Sequence, residues 1–404
     1  MSSISLFSGV FTHAETIAEK ISSVTGYQII RDHELIEEAS KKYEISKEKI
    51  ERAVYGKTSV FDKFTHEKQR SIAYLKTVLA DYLTKDRILY LGFLGQLIPK
   101  RISHVLQALV IAEMKHRVQQ ASKDQGLSEK EALKLIHKKD ENAFLWTEYI
   151  FKKEPWDSSL YDIVIPSGKV RIDESVNLIV ENLKKDAVKS NASSEKAVGD
   201  FALAAQIEVT LAGEGHDVTV SADNGNILLL IEKNVIMLSK LEEELKTLIK
   251  DIPGVKDVQT KAGKNFYQTD IYRKYDFELS PKVLLVDDER EFVQTLSDRL
   301  QMREVGAHVV YGGEEALDLV KEEEPEVMVL DLKMPGINGI EVLKQVKKTH
   351  PAMEVIVLTG HGSEKDKTLC MELGAFAYLE KPVDIEQLTK TMNEANAKLK
   401  KKKK

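Results

Sequence analysis

The chain has 404 residues, 42% hydrophobic and 31% charged, with a formal net charge of −6 and one cysteine, Cys370. That length suits about two to four domains with separate cores, and the charge excludes a general attraction to nucleic acid or anionic membrane. A single cysteine excludes an intrachain disulfide, and neither a basic-then-apolar leader nor a run of roughly 18 apolar residues occurs, so the expectation is a soluble, cytoplasmic protein with no membrane association.

The chain opens with an apolar strand, Ile4 to Phe7, a turn Ser8-Gly9-Val10-Phe11-Thr12-His13, and a helical stretch with Ile17, Ile21 and Val24. Strand, glycine turn and helix form a place where anions bind, because helix N-terminal amides point at them. A phosphate-cradling loop also needs further glycines and a Gly-Lys-Ser/Thr ending; here there is one glycine and no lysine before Lys20. Ser8, Gly9, Asp32 and Arg117 are therefore only weak nucleotide-site candidates. A long helical region from about Glu34 to Ala80 follows, then a strand at Ile88 to Leu91, Gly92-Phe93-Leu94-Gly95, and a strand around Leu106 to Ile111. A helix carrying Arg117 leads to Ser128, an N-cap candidate, then to Asp140 and the segment Trp156 to Ile165. Strands alternating with helices predict an α/β domain with a mostly parallel sheet. His13, His104, His116 and His137 have no metal-ligand spacing and read as surface or lightly packed.

Residues 3 to 183 resemble the cytidylate-kinase-like branch of the nucleoside monophosphate kinases. The resemblance is carried by the opening strand and turn, Gly26-Tyr27 with Asp32-x-Glu34-Leu35-Ile36, and Gly92-x-x-Gly95. Ser128-x-x-Glu131-Ala132 with Asp140, and Leu160 to Ile165, carry it too. It implies a P-loop-kinase-like fold. The sequence departs from that family at the phosphate loop, where Val10 to His13 replace glycines, and at Phe93, His33 and Ala143, where the family has arginine or another basic residue. Phosphoryl transfer depends on positioned cations, so residues 1–190 are expected to keep the fold without the catalysis.

Leu183 to Ala197 is polar and small-residue-rich and reads as a domain boundary. Beyond it come a helix from about Val198 to Leu211, two strands (217–222 and 226–231) meeting at Asp223-Asn224-Gly225, and a helix over 235–249. Asn-Gly between alternating apolar runs is a strong hairpin signal. Ile252-Pro253-Gly254-Val255 and Val258 close the unit, and residues 198–264 resemble a BON domain, which implies a small interaction or packing module. A stretch with Tyr267, Tyr272 and Tyr275 links onward.

From Lys282 five apolar strands recur with helices between them, the pattern of a doubly wound (βα)5 sheet. They end at Asp287-Asp288-Glu289, at Val310, at Asp331, at Thr359-Gly360 and at Glu380-Lys381-Pro382. The intervening helix Gly339 to Lys348 carries Ile340, Leu343 and Val346 on one face. Three carboxylates at one sheet edge need a cation between them, so Asp287, Asp288 and Asp331 are expected to hold Mg2+. Asp331 is the candidate nucleophile toward a phosphoryl donor, Thr359 a hydroxyl donor and Lys381 a point charge for the new phosphoryl group. Pro382 is a candidate cis proline.

Residues 281–398 resemble the receiver domain of two-component response regulators, with the acidic pair, Asp331-x-x-Met334-Pro335-x-x-x-Gly339, Thr359 and Lys381-Pro382 all filled. The resemblance implies phosphorylation of Asp331 by a histidine kinase or phosphotransfer protein, and a switch role for Tyr378. A protein target or self-association through this domain would follow. No DNA-binding segment is evident, and the lysine-rich end (Lys398, Leu399 and five lysines) reads as a disordered tail. The rival expectation is a nucleoside monophosphate kinase regulated by the receiver; a scaffold is the third.

Overall fold

The computed structural model describes residues 2–85, 87–231, 238–263, 281–301, 303, 305–360 and 362–402. The expected tyrosine-bearing link and the start of the helix expected at 235 lie outside the described residues. Two compact units are present, one of Met1–Thr58 with Glu67–Tyr272, the other of Ser59–His66 with Arg273–Lys404.

The first unit begins with β1 (Ser3–Ser8), α1 (Ala14–Thr25), β2 (Gln28–Arg31), α2 (Asp32–Tyr43) and α3 (Lys47–Tyr55). The short α4 (Asp62–Thr65) belongs to the second unit, and α5 (Glu67–Leu83) returns to the first. Next come β3 (Ile88–Leu91), β4 (Val105–Ile111), α6 (Met114–Gln125), α7 (Glu129–Phe151), β5 (Ile163–Pro166) and α8 (Ile172–Leu183). The strands form one parallel sheet in the order β2-β3-β1-β4-β5. Ile4, Leu6, Leu106 and Ala108 pack beneath α1 and α8, while Ile30, Ile88 and Tyr90 face the opposite core with α5. The expected continuous helical region is in fact four helices. Glu44, at φ 51°, ends α2 in the left-handed region, and Gly56 follows the last residue of α3. Strand β2 carried no sequence signal, since its four residues show no clear apolar alternation. Ser128 caps α7 as expected, with its amide donating to Glu131 (2.9 Å) in a capping box. His104, expected near the surface, is buried, and the His13 and His116 rings meet edge-on at 5.3 Å.

A helix–strand–strand–helix–strand run completes this unit: α9 (Ala192–Gly213), β6 (Thr219–Asp223), β7 (Asn226–Ile231), α10 (Leu238–Ile249) and β8 (Asp257–Ala262). Asn224 and Gly225 both take positive φ, the geometry a tight hairpin requires. Helix α9 starts six residues before the expected Val198, because Asn191 accepts the Ser194 amide at 2.9 Å and caps it there. Its small residues let it lie close on α5. Ala197, Val198 and Phe201 enter the core formed by Ile72, Leu75, Val78 and Leu79, and Lys76 pairs with Glu208 at 2.8 Å. What reads as a boundary in sequence is therefore a capped helix start leading into a shared core.

The second unit contains β9 (Val283–Val286), α11 (Arg290–Gln301), β10 (Ala307–Val310), α12 (Gly313–Glu323), β11 (Val327–Leu330) and α13 (Gly339–Thr349). It continues with β12 (Glu354–Thr359), α14 (Glu364–Glu372), β13 (Ala377–Glu380) and α15 (Ile385–Lys402). The sheet is parallel in the order β10-β9-β11-β12-β13, so β11 is central. Both faces of β9, β11 and β12 are buried, which explains their unbroken apolar runs. Leu285, Val329 and Ile356 pack toward α11 and α15; Val286, Leu330 and Val357 pack toward α12, α13 and α14. The lysine-rich end is helical rather than disordered as far as Lys402. Leu399 is buried, and Lys398 reaches the buried Glu354 at 3.0 Å, joining Lys347 (3.6 Å) in neutralising it.

Phe201→Ala removes the large side chain that joins α9 to α5 and is expected to cost about 3–5 kcal/mol in urea unfolding. Val24→Ala, on an exposed position of α1, should stay within about 0.5 kcal/mol.

Candidate functional site

Each parallel sheet collects side chains at its carboxyl edge, where strands end and loops begin. In the first unit that edge borders a cavity of about 570 Å³ lined by Ser8, Gly9, Thr12, Asp32, Asp140 and Trp156, among others. Several of its polar groups are already engaged. Asp32 accepts the amides of Phe93 (2.7 Å) and Leu94 (3.0 Å) and the Tyr55 hydroxyl (2.9 Å). Burial pushes its carboxyl above the ordinary range, against those three donors. Gly92, at φ 140°, makes this possible, since a Cβ there would lie 2.4 Å from the Asp32 carboxyl carbon.

Arg117 stands behind Gly9 and is spent twice over. Its Nε donates to the Val10 carbonyl (2.8 Å), and its two terminal nitrogens form a bidentate pair with Asp140 (2.7 and 2.8 Å). Two further cations of this domain are paired, Lys20 with Asp173 and Arg31 with Glu15, while Lys139 lines the cavity itself. In place of flexible glycines, Phe11 and His13 hold positive φ, and Thr12 turns its hydroxyl back to the Gly9 carbonyl at 2.8 Å. All four weak nucleotide-site candidates are thus near one another, but the one cation among them is committed to protein acceptors.

At the second sheet edge the balance is reversed. Asp287 and Asp331 are buried, and with half-buried Asp288 their oxygens lie within 4.8 Å of one another. Asp287 follows β9 and Asp331 follows β11, adjacent strands whose register brings Val286 beside Leu330. Two amides fix one oxygen each: Leu332 donates to Asp331 Oδ1 (2.7 Å) and Glu289 to Asp287 Oδ1 (2.9 Å). Lys381 Nζ answers the remaining charge, 2.7 Å from Asp287 Oδ2, 3.2 Å from Glu289 Oε1 and 3.4 Å from Asp331 Oδ2. Burial raises the Asp287 carboxyl, with the Lys381 hydrogen bond opposing. Burial also works against the Lys381 charge, but Asp287 and Asp331 outweigh it and the ammonium titrates above its ordinary range.

The supporting loop is shaped around Asp331. A Cβ on Gly339 would lie 2.1 Å from the Asp331 carbonyl oxygen, so only glycine lets α13 start this close. Thr359 ends β12, buried, and its carbonyl accepts the Lys381 amide at 3.0 Å. The Lys381–Pro382 peptide is cis. Tyr378 is half-buried against the α13/α14 core, and its hydroxyl is buried with no hydrogen-bond partner among the described residues. Burial, with Cys370 and nearby carboxylates, raises its phenol. Three carboxylates, two of them buried, against one ammonium leave negative charge uncompensated, and the all-oxygen donor set suits a hard divalent cation.

Residues 283–393 match the family model for the response regulator receiver domain. Through them the chain belongs to the response regulator receiver family. A response regulator receiver domain protein from Clostridium thermocellum is 34% identical over 30% of this chain and 97% of its own, with TM-score 0.29. The receiver domain of a Francisella response regulator is 31% identical over 31% and 100%, TM-score 0.28. A response regulator receiver protein from Pseudomonas putida is 30% identical over 28% and 97%, TM-score 0.27. Residues 3–169 match the model of the cytidylate kinase-like family. No helix of the described residues is long and apolar enough to cross a membrane.

The receiver site includes two residues that the sequence reading passed over. Glu289 shares Lys381 with the aspartates, and the Phe292 ring lies 4.4 Å from its ammonium. Glu289 adjoins the acidic pair and is open to recognition there; Phe292 lies in the first turn of α11, and only packing aims it at a lysine almost ninety residues away in sequence.

In the kinase-like domain, Asp140→Ala would strand a guanidinium whose side chain is 7% exposed. An expected loss of about 3 kcal/mol in chemical unfolding checks the structural role of that pair.

Proposed function

We propose that this protein is a phosphorylation-dependent signalling protein in which Asp331 accepts a phosphoryl group from a histidine kinase or phosphotransfer protein. The observation that carries the reading is the Asp331 carboxylate at a central strand end, 3.4 Å from Lys381 Nζ and within 4.8 Å of two further aspartates. Asp331 Oδ1 is held by the Leu332 amide, which leaves Oδ2, turned toward Lys381, as the attacking oxygen. It forms a new O–P bond as the donor imidazole's N–P bond breaks, and the freed imidazole takes up a proton from solvent. Asp287, Asp288 and Asp331 would hold Mg2+, which supplies charge neutralisation for the phosphoryl oxygens. Lys381 is a second point charge beside that group, and the Thr359 hydroxyl a donor to it. Motion of Thr359 toward the phosphoryl group would let the Tyr378 ring turn further inward, since its hydroxyl has no fixed acceptor among the described residues.

The working division of the chain is 1–190 as a kinase-like domain without catalysis, 198–264 as a BON-like packing or interaction module, and 281–398 as the receiver. The middle assignment is supported by its helix–hairpin–helix–strand order and the first by the pairing of Arg117, Arg31 and Lys20 within the protein. A nucleoside monophosphate kinase remains the second reading because a 570 Å³ cavity, lined by Lys139 among others, borders the same sheet edge; with Arg117 committed to Asp140, transition-state charge loses one counterpart there.

A small phosphodonor is expected to modify the wild type in Mg2+ and leave Asp331→Asn unmodified, as read by intact mass; equal modification of both would overturn the assignment. At Mg2+ a hundredfold above its Kd the receiver should gain about 2.7 kcal/mol, seen as a rise in Tm that chelator removes and Asp288→Asn weakens. Incubation of the full chain with CMP, ATP and Mg2+ should give no CDP; detectable turnover would restore the kinase reading.

A further inference from the structure

The receiver unit includes eight residues from far outside the receiver sequence. Ser59–His66 belongs to this unit, although its flanks, Thr58 and Glu67, belong to the other. Phe61 is 0% exposed and sits in the receiver's own hydrophobic core with Leu284, Val286, Val310 and Val320. Its ring meets His308 on β10 edge-on, at 5.9 Å and 71°. The segment is ordered by itself. The Phe61 amide donates to Ser59 Oγ (3.1 Å), Asp62 to the Ser59 carbonyl (3.0 Å) and His66 to the Asp62 carbonyl (2.8 Å).

The position of this contact matters. His308 and Val310 lie on one face of β10, two residues apart. The Val310 carbonyl accepts the amide of Asp287, 3.2 Å away, and Asp287 is a member of the carboxylate cluster. Strand β10 is the sheet edge, held on one side only, by β9. On the other side of the segment the chain runs directly into α3 and α5. Tyr55, the last residue of α3, donates its hydroxyl to Asp32 at the 570 Å³ cavity.

We infer that Ser59–His66 is the output element of this receiver: the state of Asp331 is passed through β10 and Phe61 to α3 and α5, and through Tyr55 to the Asp32 cavity. The inference rests on Asp331 being the phosphoacceptor. Burial of a complete phenylalanine gives the segment a position that depends on the core around it, and covalent continuity carries any shift into the helices at either end. A receiver state that repacks β10 against Phe61 thereby has a differential interaction with the segment, which is what coupling requires.

Hydrogen exchange on the full chain, with and without beryllofluoride and Mg2+, tests this. Wild type is expected to change exchange in residues 327–381 and also in 47–58 and 67–83. Phe61→Ser should keep the first response and lose the second, and Phe61→Leu, which preserves an apolar side chain at the site, should recover it. A wild type that responds in 327–381 alone, or a Phe61→Ser protein that still responds in 47–83, overturns the coupling while leaving the phosphoacceptor intact. No response in 327–381 overturns the phosphoacceptor assignment itself, and the inference with it.

Discussion

Like charges forced together at a sheet edge are the constraint on which the receiver depends. Asp287 and Asp331 are both buried, with Asp288 beside them. At such separations each carboxylate pair repels by about 3–4 kcal/mol at an effective dielectric constant of about 20. Adjacent strands β9 and β11 hold the backbones of Asp287 and Asp331 close together through their ladder. Lys381 relieves part of the repulsion, brought from the end of β13 by the Lys381–Thr359 backbone bond. What is left is a pocket of negative charge that favours a small divalent cation, with Asp331 Oδ2 at 3.4 Å from the ammonium. The chemistry proposed for Asp331 is built on that imbalance.

The kinase-like domain also presents a five-stranded parallel sheet, in a different strand order, with the opposite electrostatics. Its parallel sheet also ends in a glycine turn, an aspartate and an arginine, yet Arg117, Arg31 and Lys20 are each closed into pairs with Asp140, Glu15 and Asp173. A cation that already holds a bidentate carboxylate gains little by exchanging it for phosphate. Asp32 is likewise saturated by two amides and a hydroxyl. The two parallel sheets thus differ in how far the polar groups at their carboxyl edges are satisfied internally, in keeping with function residing in sites rather than folds.

Much of this was legible in the sequence, and for identifiable reasons. Buried parallel strands need apolar residues on both faces, so Val283–Val286, Val327–Leu330 and Val355–Leu358 stand out from their charged surroundings, and the carboxylates at their ends with them. Asn224-Gly225 and Ser128 carry their turn and cap in their own chemistry. Where local signals are weak the sequence does not mark the element: β2 has four residues of mixed character, and the helical region after it breaks at Glu44, a residue with no intrinsic preference for the left-handed conformation it adopts. The lysine-rich end looked solvated because the buried Glu354 that holds Lys398 lies more than forty residues upstream.

The sequence by itself determined which chemical groups the protein has and the strand ends on which they sit: Asp331 with its aspartate partners, Thr359, Lys381, and the absence of a glycine-lysine phosphate loop. Only the tertiary structure decided which charges find one another. It closed Arg117 onto Asp140, set Glu289 and Phe292 around Lys381, drew α9 into the core of α5, and placed Phe61 inside the receiver core. Local preference is written in neighbouring residues, whereas these pairings join positions tens to hundreds of residues apart, where only the folded chain brings side chains within reach.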